Sequence, residues 1–366
     1  MYSESDLVRI AKRENNTKRN YLVVNRLQGK HIPVKPSAAV EMFQELAEAL
    51  KGAYVGENLL LVGFAETATA IGAAVAVELG TKYIQTTREI IPEAEYIFFS
   101  EEHSHATEQK LVKNDMDLCM KEMDRIVFVE DEVTTGKTIL NIIGMLEKLY
   151  PGEVKYSVAS LLNGMDDTAL QLYADKGIRL HYLVKTNHDA YGVVAEQFAG
   201  DGTYVACDTG KPQFMVTELH MGGAMNARRL VDANGYKEAC ETLWGQLEGS
   251  LYKELSGKVL VLGTEEFMYP ALYVARRLEE KGLEVYSHAT TRSPIAVSSE
   301  QEYPLHVRYE LCSLYDRERV TFLYDIDAYD VVFIITDARA EQQEGLNSLI
   351  NAVRQRNNKI FCIRWC

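Results

Sequence analysis

Short apolar runs alternate with helix-length segments along much of the chain. The runs of strand length and composition include "NLLLVGF", "KYIQTTRE", "DRIVFVED" and "VKYSVASLLN", and the segments between them include "TATAIGAAVAVELG" and "KTILNIIGMLEKLY". Continuous apolar strands separated by helices are typical of a mainly parallel sheet that helices cover on both faces. The pattern therefore predicts an α/β fold of the Rossmann-like type.

The alternation is interrupted once, which predicts two domains. It breaks near residues 212–222, passes through a long helical stretch and resumes at "GKVLVLG". We therefore expect one domain over residues 1–215 and a second α/β domain over residues 216–366.

The second half repeats the rhythm of the first. "LLLVGFAETATAIGAAVAVEL" matches "VLVLGTEEFMYPALYVARRLE", a Thr-Thr-Arg segment ends at Arg88 and again at Arg292, and Asp131 finds a counterpart in Asp337. Any two α/β units share part of this rhythm. The recurring landmarks nevertheless make the second domain a candidate degenerate copy of the first.

Composition limits the classes of partner. A net charge of -14 and a pI near 5.2 argue against nucleic acid, because phosphate backbones are bound by basic surfaces. The N-terminus is polar and lacks a signal-peptide core, and the most apolar stretch carries Glu66 and Glu78, which argues against a membrane span. The six cysteines show no metal or CxxC spacing. We expect a cytoplasmic protein without a nucleic-acid or membrane partner.

The segment "VEDEVTTGKT", residues 129–138, ends in a Gly-Lys-Thr that also occurs in nucleotide-triphosphate P-loops. A P-loop requires a glycine five positions before Gly136, so that the backbone can wrap the β-phosphate. Asp131 occupies that position, and its carboxylate would repel the phosphates. The segment is therefore not a P-loop.

The same segment suits a sugar monophosphate. An apolar strand delivers Glu130 and Asp131 to its carboxyl end, where open α/β sheets bind ligands. A hydroxyl-rich loop then opens a helix, and backbone N–H groups at a helix start bind a phosphate. The two acids lie where ribose hydroxyls, or Mg²⁺ and its waters, could be held, with Asp131 as the metal contact. The candidate phosphate-binding residues are Thr134, Thr135, Gly136, Lys137 and Thr138.

"RIVFVEDEVTTGKT" resembles the 5-phosphoribosyl-1-diphosphate (PRPP) motif of type I phosphoribosyltransferases. The first domain is similar to the orotate-phosphoribosyltransferase-like branch of tellurite-resistance and stress-response operons, of which "LQGKHIPV" and "EEHSHA" are further typical stretches. The second domain resembles the TRSP domain, named for the signature found here at residues 291–294. The resemblance implies a type I phosphoribosyltransferase fold followed by a TRSP-type domain.

The resemblance also implies a pyrophosphate site. Members of the family hold pyrophosphate with a loop after the first core strand, here "GFAETAT", which contains Ala65, Glu66 and Thr67. Glu66 beside a polyanion requires an intervening magnesium ion, and the alternative for this loop is a plain turn between a strand and a helix. Arg88 ends "TTR" and resembles the basic residue that pairs with pyrophosphate; the alternative is a surface arginine. Arg88, Glu130 and Asp131 are thus the expected catalytic residues.

Two further segments correspond to parts that cover the family's active site. "SEEHSHATEQKLVK" matches the mobile loop, with His103, His105 and Lys110 as its candidate residues, and it is richer in Glu and His than in the orotate enzymes. "QGKHIPVKP" matches the hood over the base, with Lys30 and His31 as candidates; a solvated lysine and a packed histidine are the alternatives.

In the second domain, Arg292 and Ser293 of "TTRSP" are the strongest candidates. No Thr-Thr-Gly-x-Thr follows Asp337, so we do not expect this domain to bind PRPP in the usual way. It would either complete the site of the first domain, as in an intramolecular pseudo-dimer or a homo-oligomer, or bind another ligand.

Together these features predict a Mg²⁺-dependent phosphoribosyltransferase that transfers the ribosyl group of PRPP to a nucleobase or base-like acceptor and releases pyrophosphate. Two alternatives stay open. The reaction would run in reverse and release a base from a nucleotide-like compound, or the protein would sense PRPP or a nucleotide without turnover.

Overall fold

A computed structural model describes residues 1–14, 19–99, 109–152, 154–213, 216–251, 255–341 and 343–366. The helices are α1 (Glu4–Leu7), α2 (Pro36–Leu50), α3 (Thr69–Leu79), α4 (Lys113–Cys119), α5 (Lys137–Leu149), α6 (Asp167–Asp175), α7 (Tyr191–Glu196), α8 (Ala233–Leu251), α9 (Tyr269–Glu280) and α10 (Gln343–Arg354).

The strands of the N-terminal part are β1 (Val8–Lys12), β2 (Tyr21–Asn25), β3 (Leu59–Gly63), β4 (Lys82–Gln85), β5 (Tyr96–Phe99), β6 (Gln109–Val112), β7 (Arg125–Val133), β8 (Lys155–Asn163) and β9 (Arg179–Lys185). Those that follow are β10 (Thr203–Ala206), β11 (Thr217–Met221), β12 (Val231–Asp232), β13 (Lys258–Gly263), β14 (Glu284–Ala289), β15 (Val307–Cys312), β16 (Val320–Tyr324), β17 (Val331–Thr336) and β18 (Ile360–Trp365).

The chain forms two compact units, each assembled from separated segments. The first unit comprises Met1–Glu4, Glu41–Asn187 and Met225–Glu238, and the second comprises Ser5–Val40, His188–Ala224 and Ala239–Cys366. The domain bounds inferred from the sequence, 1–215 and 216–366, describe contiguous segments and stay a prediction.

A six-stranded sheet forms the centre of the first unit, in the order β12-β4-β3-β7-β8-β9. The strands from β4 to β9 in that order are parallel, and β12 pairs antiparallel with β4 at the edge. The apolar run of β7 is buried over its first five residues, as expected for a parallel strand covered on both faces. Along the sheet the strand order reverses between β3 and β7, and open α/β sheets bind ligands at the carboxyl ends of strands at such a reversal point.

The first unit also contains an antiparallel hairpin. Its strands β5 and β6 pair from Tyr96 with Val112 to Phe99 with Gln109. The hairpin therefore brackets residues 100–108, which lie outside the described residues.

A five-stranded sheet, all parallel, forms the centre of the second unit in the order β11-β18-β17-β13-β14. Its reversal point lies between β13 and β17, so β13, β14, β17 and β18 repeat the order of β3, β4, β7 and β8. A smaller sheet, β10-β15-β16, and the antiparallel hairpin β1-β2 belong to the same unit. The mixed α/β fold predicted from the sequence, with a second α/β unit, is confirmed.

Among the described residues, no helix has the length and apolar character needed to cross a membrane.

Candidate active site

Two loops meet at the carboxyl edge of the first unit's sheet. One follows β3 over residues 64–68, and the other follows β7 over residues 134–136. Thr67 Oγ1 in the first loop donates a hydrogen bond of 2.9 Å to Asp131 Oδ1 at the end of β7. The bond lies at the reversal point of the sheet, where open α/β proteins bind ligands. The sequence-predicted residues Ala65, Glu66, Thr67, Glu130 and Asp131 are therefore brought together at one edge.

The surroundings of Asp131 at this edge raise the pKa of its carboxyl. Part of its surface stays accessible, but desolvation by the surrounding protein is the main cause that raises its pKa from 3.8 to about 6. The charge of Glu132 raises the pKa further, and the hydrogen bond from Thr67 lowers it. A carboxylate that is costly to ionise gains more from a nearby cation than an exposed one does. Asp131 is accordingly the strongest candidate for contact with developing positive charge or a metal ion.

Gly136 allows the loop after β7 to turn into α5. Its φ is +69°, in the left-handed region that favours glycine. A Cβ atom here would lie 2.6 Å from Met165 Cε and closer still to the Tyr173 hydroxyl, which itself donates to the Gly136 carbonyl at 2.7 Å. The tight packing fixes the loop against α6. No other residue type fits this position without displacing Tyr173.

Helix α5 begins at Lys137 and carries no acidic residue in its first turn. Its N-terminal N–H groups and dipole therefore favour an anion at this end. The Lys137 N–H is directed to Thr135 Oγ1 at 3.3 Å. Thr134, Thr135 and Thr138 are half-buried, and Lys137 is exposed. The five residues predicted to hold a phosphate thus line one helix start.

Two buried side chains that the sequence did not single out hold the loop after β3. The Ala65 N–H donates to Thr86 Oγ1 at 2.7 Å, and Gln109 Nε2 donates to the Ala65 carbonyl at 2.8 Å. Thr86 Oγ1 in turn donates to Gln109 Oε1. Neither Thr86 nor Gln109 is more than 2% exposed. The peptide bond from Ala65 to Glu66 is cis.

The loop after β4 is joined to the hairpin strand β6. Thr87 and Lys110 exchange backbone hydrogen bonds of 2.9 and 3.0 Å. The Lys110 ammonium lies 4.9 Å from the centroid of the Tyr96 ring. Arg88 directly follows Thr87 and is half-buried. His103 and His105 lie outside the described residues.

Lys30 and His31, the predicted hood residues, belong to the second compact unit rather than to the unit that holds Asp131. Both are buried. Lys30 Nζ donates to the carbonyls of Glu265 at 3.0 Å and Thr290 at 2.9 Å. Their contribution to a hood stays a prediction.

In the second unit, Arg292 is part of a buried ionic cluster. Its Nε lies 2.9 Å from Glu265 Oε2 and its Nη2 lies 3.1 Å from Glu266 Oε1. Arg319 Nη1 shares Glu265 Oε2 at 3.0 Å. Both glutamates are at most 1% exposed, so the charge of Arg292 is compensated within the protein. The neighbouring Ser293 donates its N–H to Thr291 Oγ1 at 3.2 Å.

The two units share hydrogen bonds at corresponding positions. The Glu265 N–H donates to Thr290 Oγ1 at 3.0 Å, as the Ala65 N–H does to Thr86. The backbone N–H of Thr86 also donates to the Gly63 carbonyl at 2.9 Å, and that of Thr290 donates to the Gly263 carbonyl at 3.2 Å. In each unit this glycine ends the first core strand. The helix after the third core strand differs, since the first turn of α10 contains Glu344. The hydrogen bonds agree with the internal repeat predicted from the sequence.

Within the parts of the chain described above, no group of three or more His, Cys, Asp or Glu side chains is arranged to hold a metal ion.

Comparison with known proteins identifies both halves of the chain. A family model described as a phosphoribosyl transferase, PRTase_2, matches residues 7–188, and a model described as the TRSP domain, C-terminal to PRTase_2, matches residues 230–353. No curated protein matches the chain.

Several solved adenine phosphoribosyltransferases are similar to about half of the chain. The match to the enzyme of Rhodothermus marinus has 15% sequence identity and a TM-score of 0.35, and it covers 96% of that enzyme and 50% of this chain. The match to the enzyme of Giardia lamblia, complexed with 9-deazaadenine, has 17% sequence identity and a TM-score of 0.37. It covers 100% of that enzyme and 51% of this chain. At these TM-scores the likeness carries nothing about substrate.

The two family matches lie in the order that the sequence motifs predicted and together span most of the chain. The chain therefore consists of a phosphoribosyltransferase domain of the PRTase_2 family followed by a TRSP domain.

Proposed function

We propose that the first unit transfers the 5-phosphoribosyl group of PRPP to a nucleobase or base-like acceptor, with release of pyrophosphate and a requirement for Mg²⁺. The observation that carries this proposal is the hydrogen bond from Thr67 to Asp131. It joins the loop after β3 to the acidic end of β7, which supports a site that takes the pyrophosphate and the ribose of one PRPP molecule side by side.

The 5-phosphate would be bound at the start of α5. Residues 134–138 offer threonine hydroxyls and backbone N–H groups there, and the helix dipole favours the phosphate charge. Gly136 supports this role because its positive φ lets the loop turn directly into α5, whose start offers these N–H groups. An anchored 5-phosphate leaves the ribose beside Glu130 and Asp131.

The chemistry would be a displacement at C1 of the ribose. A nitrogen of the acceptor forms a bond to C1 while the bond from C1 to the pyrophosphate oxygen breaks, and the acceptor loses one proton. Positive charge develops on the ribose ring as the bond breaks. Glu130 and Asp131 would stabilise that charge electrostatically, and the desolvation of Asp131 increases its share.

The donor set at this edge fits Mg²⁺ bound together with substrate. Mg²⁺ prefers carboxylate oxygens, waters and phosphate oxygens to a cage made only of protein ligands. Asp131 would hold the ion, directly or through water. When bound, the ion would neutralise negative charge on the departing pyrophosphate. The buried carboxylate of Glu66 in the loop after β3 is compatible with a polyanion under that condition.

The pyrophosphate end would lie against Ala65, Glu66 and Thr67, with Arg88 as its cation. A guanidinium pairs with phosphate oxygens in a bidentate manner. Arg88 is supported by its position directly after Thr87, which the hairpin strand β6 fixes through two backbone hydrogen bonds.

Calorimetric titration of PRPP with and without Mg²⁺ tests the proposal. We expect Mg²⁺-dependent binding to the wild type and loss of that binding in the Asp131→Asn variant. The matched control is Asp337→Asn in the second unit, where the aspartate accepts a hydrogen bond from Tyr315 at 2.6 Å and no phosphate loop follows. Absence of PRPP binding to the wild type, or equal loss in both variants, would refute the proposal.

Turnover is then measured as pyrophosphate release with a panel of nucleobases. Release with one of them identifies the acceptor class. PRPP binding without release from any acceptor would instead support a sensing role, and base release from a nucleotide on addition of pyrophosphate would support the reverse reaction.

A further inference from the structure

A small network of buried hydrogen bonds joins two side chains to the loop after β3. Thr86 accepts a hydrogen bond from the Ala65 N–H, Gln109 donates one to the Ala65 carbonyl, and Thr86 donates to Gln109. Both polar groups of the Ala65 backbone are therefore bound by side chains. This fixes the orientation of Ala65 and, through it, the direction of the backbone that follows at Glu66 and Thr67.

We propose that Thr86 and Gln109 are positioning residues, which hold the loop after β3 in the conformation that binds the pyrophosphate end of PRPP. The inference rests on the proposed function. Both residues are buried, and the bonds described above join them to the Ala65 backbone and to each other, which suits support of the loop better than direct contact with a ligand.

The composition of the network favours a positioning role over simple packing. Buried polar side chains contribute little net stability, but a buried group that loses its partner costs about 1–3 kcal/mol. A network of three mutually dependent bonds is therefore an efficient way to favour one loop conformation over others. Apolar side chains of the same size would fill the space without specifying where the Ala65 N–H and carbonyl point.

The position of Gln109 extends the network to the hairpin. Gln109 is the first residue of β6 and pairs with Phe99 at the end of β5. Its neighbour Lys110 is bonded to Thr87 through the backbone. The start of β6 is thus tied both to the loop after β3 and to the segment that carries Arg88. A change at Gln109 should act on both pyrophosphate-binding segments.

The second unit provides an internal comparison. There Thr290 accepts the same backbone hydrogen bond, from Glu265, and it is buried to the same extent as Thr86. The donor to the loop carbonyl is Lys30 instead of a glutamine. The threonine hydrogen bond alone is therefore common to both units, whereas the glutamine amide occurs beside the loop that we assign to pyrophosphate.

The test compares the binding of pyrophosphate with that of ribose 5-phosphate by calorimetry in the presence of Mg²⁺. The variants are Thr86→Val, which removes the hydroxyl at nearly constant volume, Thr86→Ser, which keeps it, and Gln109→Glu, which replaces the amide donor by an oxygen. Thr290→Val is the matched control, because it removes the corresponding hydroxyl from the second unit.

We expect Thr86→Val and Gln109→Glu to weaken pyrophosphate binding about tenfold and to leave ribose 5-phosphate binding within about twofold. The Thr86→Ser variant should bind pyrophosphate with nearly the wild-type affinity, and the Thr290→Val variant should bind both ligands as the wild type does. If these residues had a purely structural role, the variants would bind both ligands more weakly, or Thr86→Val and Thr290→Val would have the same effect on binding. Either result overturns the inference.

Two outcomes separate this inference from the proposed function. If the wild type binds neither PRPP nor pyrophosphate, the proposed function fails and the inference fails with it. If the wild type binds both and the variants bind pyrophosphate normally, only the inference is wrong. Should Thr86→Val not fold, Gln109→Glu and Thr86→Ser still decide the question.

Discussion

Replacing Asp131 by asparagine should stabilise the ligand-free protein at neutral pH while it abolishes PRPP binding. The side chain keeps an oxygen that can accept the hydrogen bond from Thr67, and it loses only the charge. Because desolvation is the largest cause of the raised pKa, ionised Asp131 costs folding free energy that asparagine does not. The opposite signs expected for stability and binding make the variant informative.

The magnitude follows from the pKa. The carboxyl has a pKa of about 6 in the folded protein against 3.8 as its ordinary value, and each unit corresponds to about 1.4 kcal/mol. The folded state thus binds more protons than the unfolded state between pH 3.8 and about 6, and stability falls as the pH rises through that window. The full difference is about 3 kcal/mol. Since the side chain keeps partial solvent access, screening reduces it to about 1–2 kcal/mol.

The assay is urea unfolding of the wild type and the Asp131→Asn variant at pH 7.5 and at pH 4. We expect the variant to be more stable by about 1–2 kcal/mol at pH 7.5 and within about 0.5 kcal/mol of the wild type at pH 4, because at pH 4 Asp131 is protonated in the folded protein and about half ionised in the unfolded chain. Other titrating groups are common to both proteins and cancel in the difference. A variant that is less stable at pH 7.5, or a difference that does not depend on pH, would refute the assignment of a desolvated carboxylate.

Three further outcomes are expected from the buried positions. Gly136→Ala should destabilise the protein by about 2–4 kcal/mol in urea unfolding, because alanine is strained at a positive φ and its Cβ would displace Tyr173; an unchanged midpoint would contradict the packing. Burial lowers the pKa of His288 from 6.5 to about 4, so the protein should lose about 3 kcal/mol as the pH falls from 6.5 to 4, and His288→Gln should remove that part of the pH dependence of unfolding. Glu265→Gln should cost about 3–5 kcal/mol because it leaves the buried Arg292 with one carboxylate fewer, yet calorimetry should show unchanged PRPP binding in the variant if the second unit takes no part in it.

The elements that the sequence predicted well have local signatures. Buried parallel strands require continuous apolar residues, so β3 and β7 could be recognised from their own composition. The acids and the hydroxyl-rich loop after β7 are contiguous over residues 130–138, so the family could be recognised from one segment. The meeting of this segment with the loop after β3 followed from a general property of open α/β sheets.

The contacts that the sequence did not predict are between residues distant in the chain. Lys30 donates to a carbonyl 235 positions away, and nothing in "QGKHIPVKP" indicates that this lysine is fully buried in the second unit. Gln109 is a neutral residue outside any recognised motif, and the roles of Thr86 and Gln109 depend on a hairpin that brings β6 to the end of β4. The repeat offered one usable signal, because Thr86 and Thr290 recur in aligned Thr-Thr-Arg segments.

The two units show how charge can change a site whose hydrogen bonds are retained. Ala65 and Glu265 occupy corresponding positions and donate to corresponding threonines, but the second position carries a buried carboxylate that pairs with Arg292. The guanidinium that would otherwise attract a phosphate is neutralised within the protein, and Glu344 opposes an anion at the start of α10. The strand order at the two reversal points is the same, so topology does not distinguish the two units. The difference in charge is therefore the reason that we expect PRPP to bind only to the first unit.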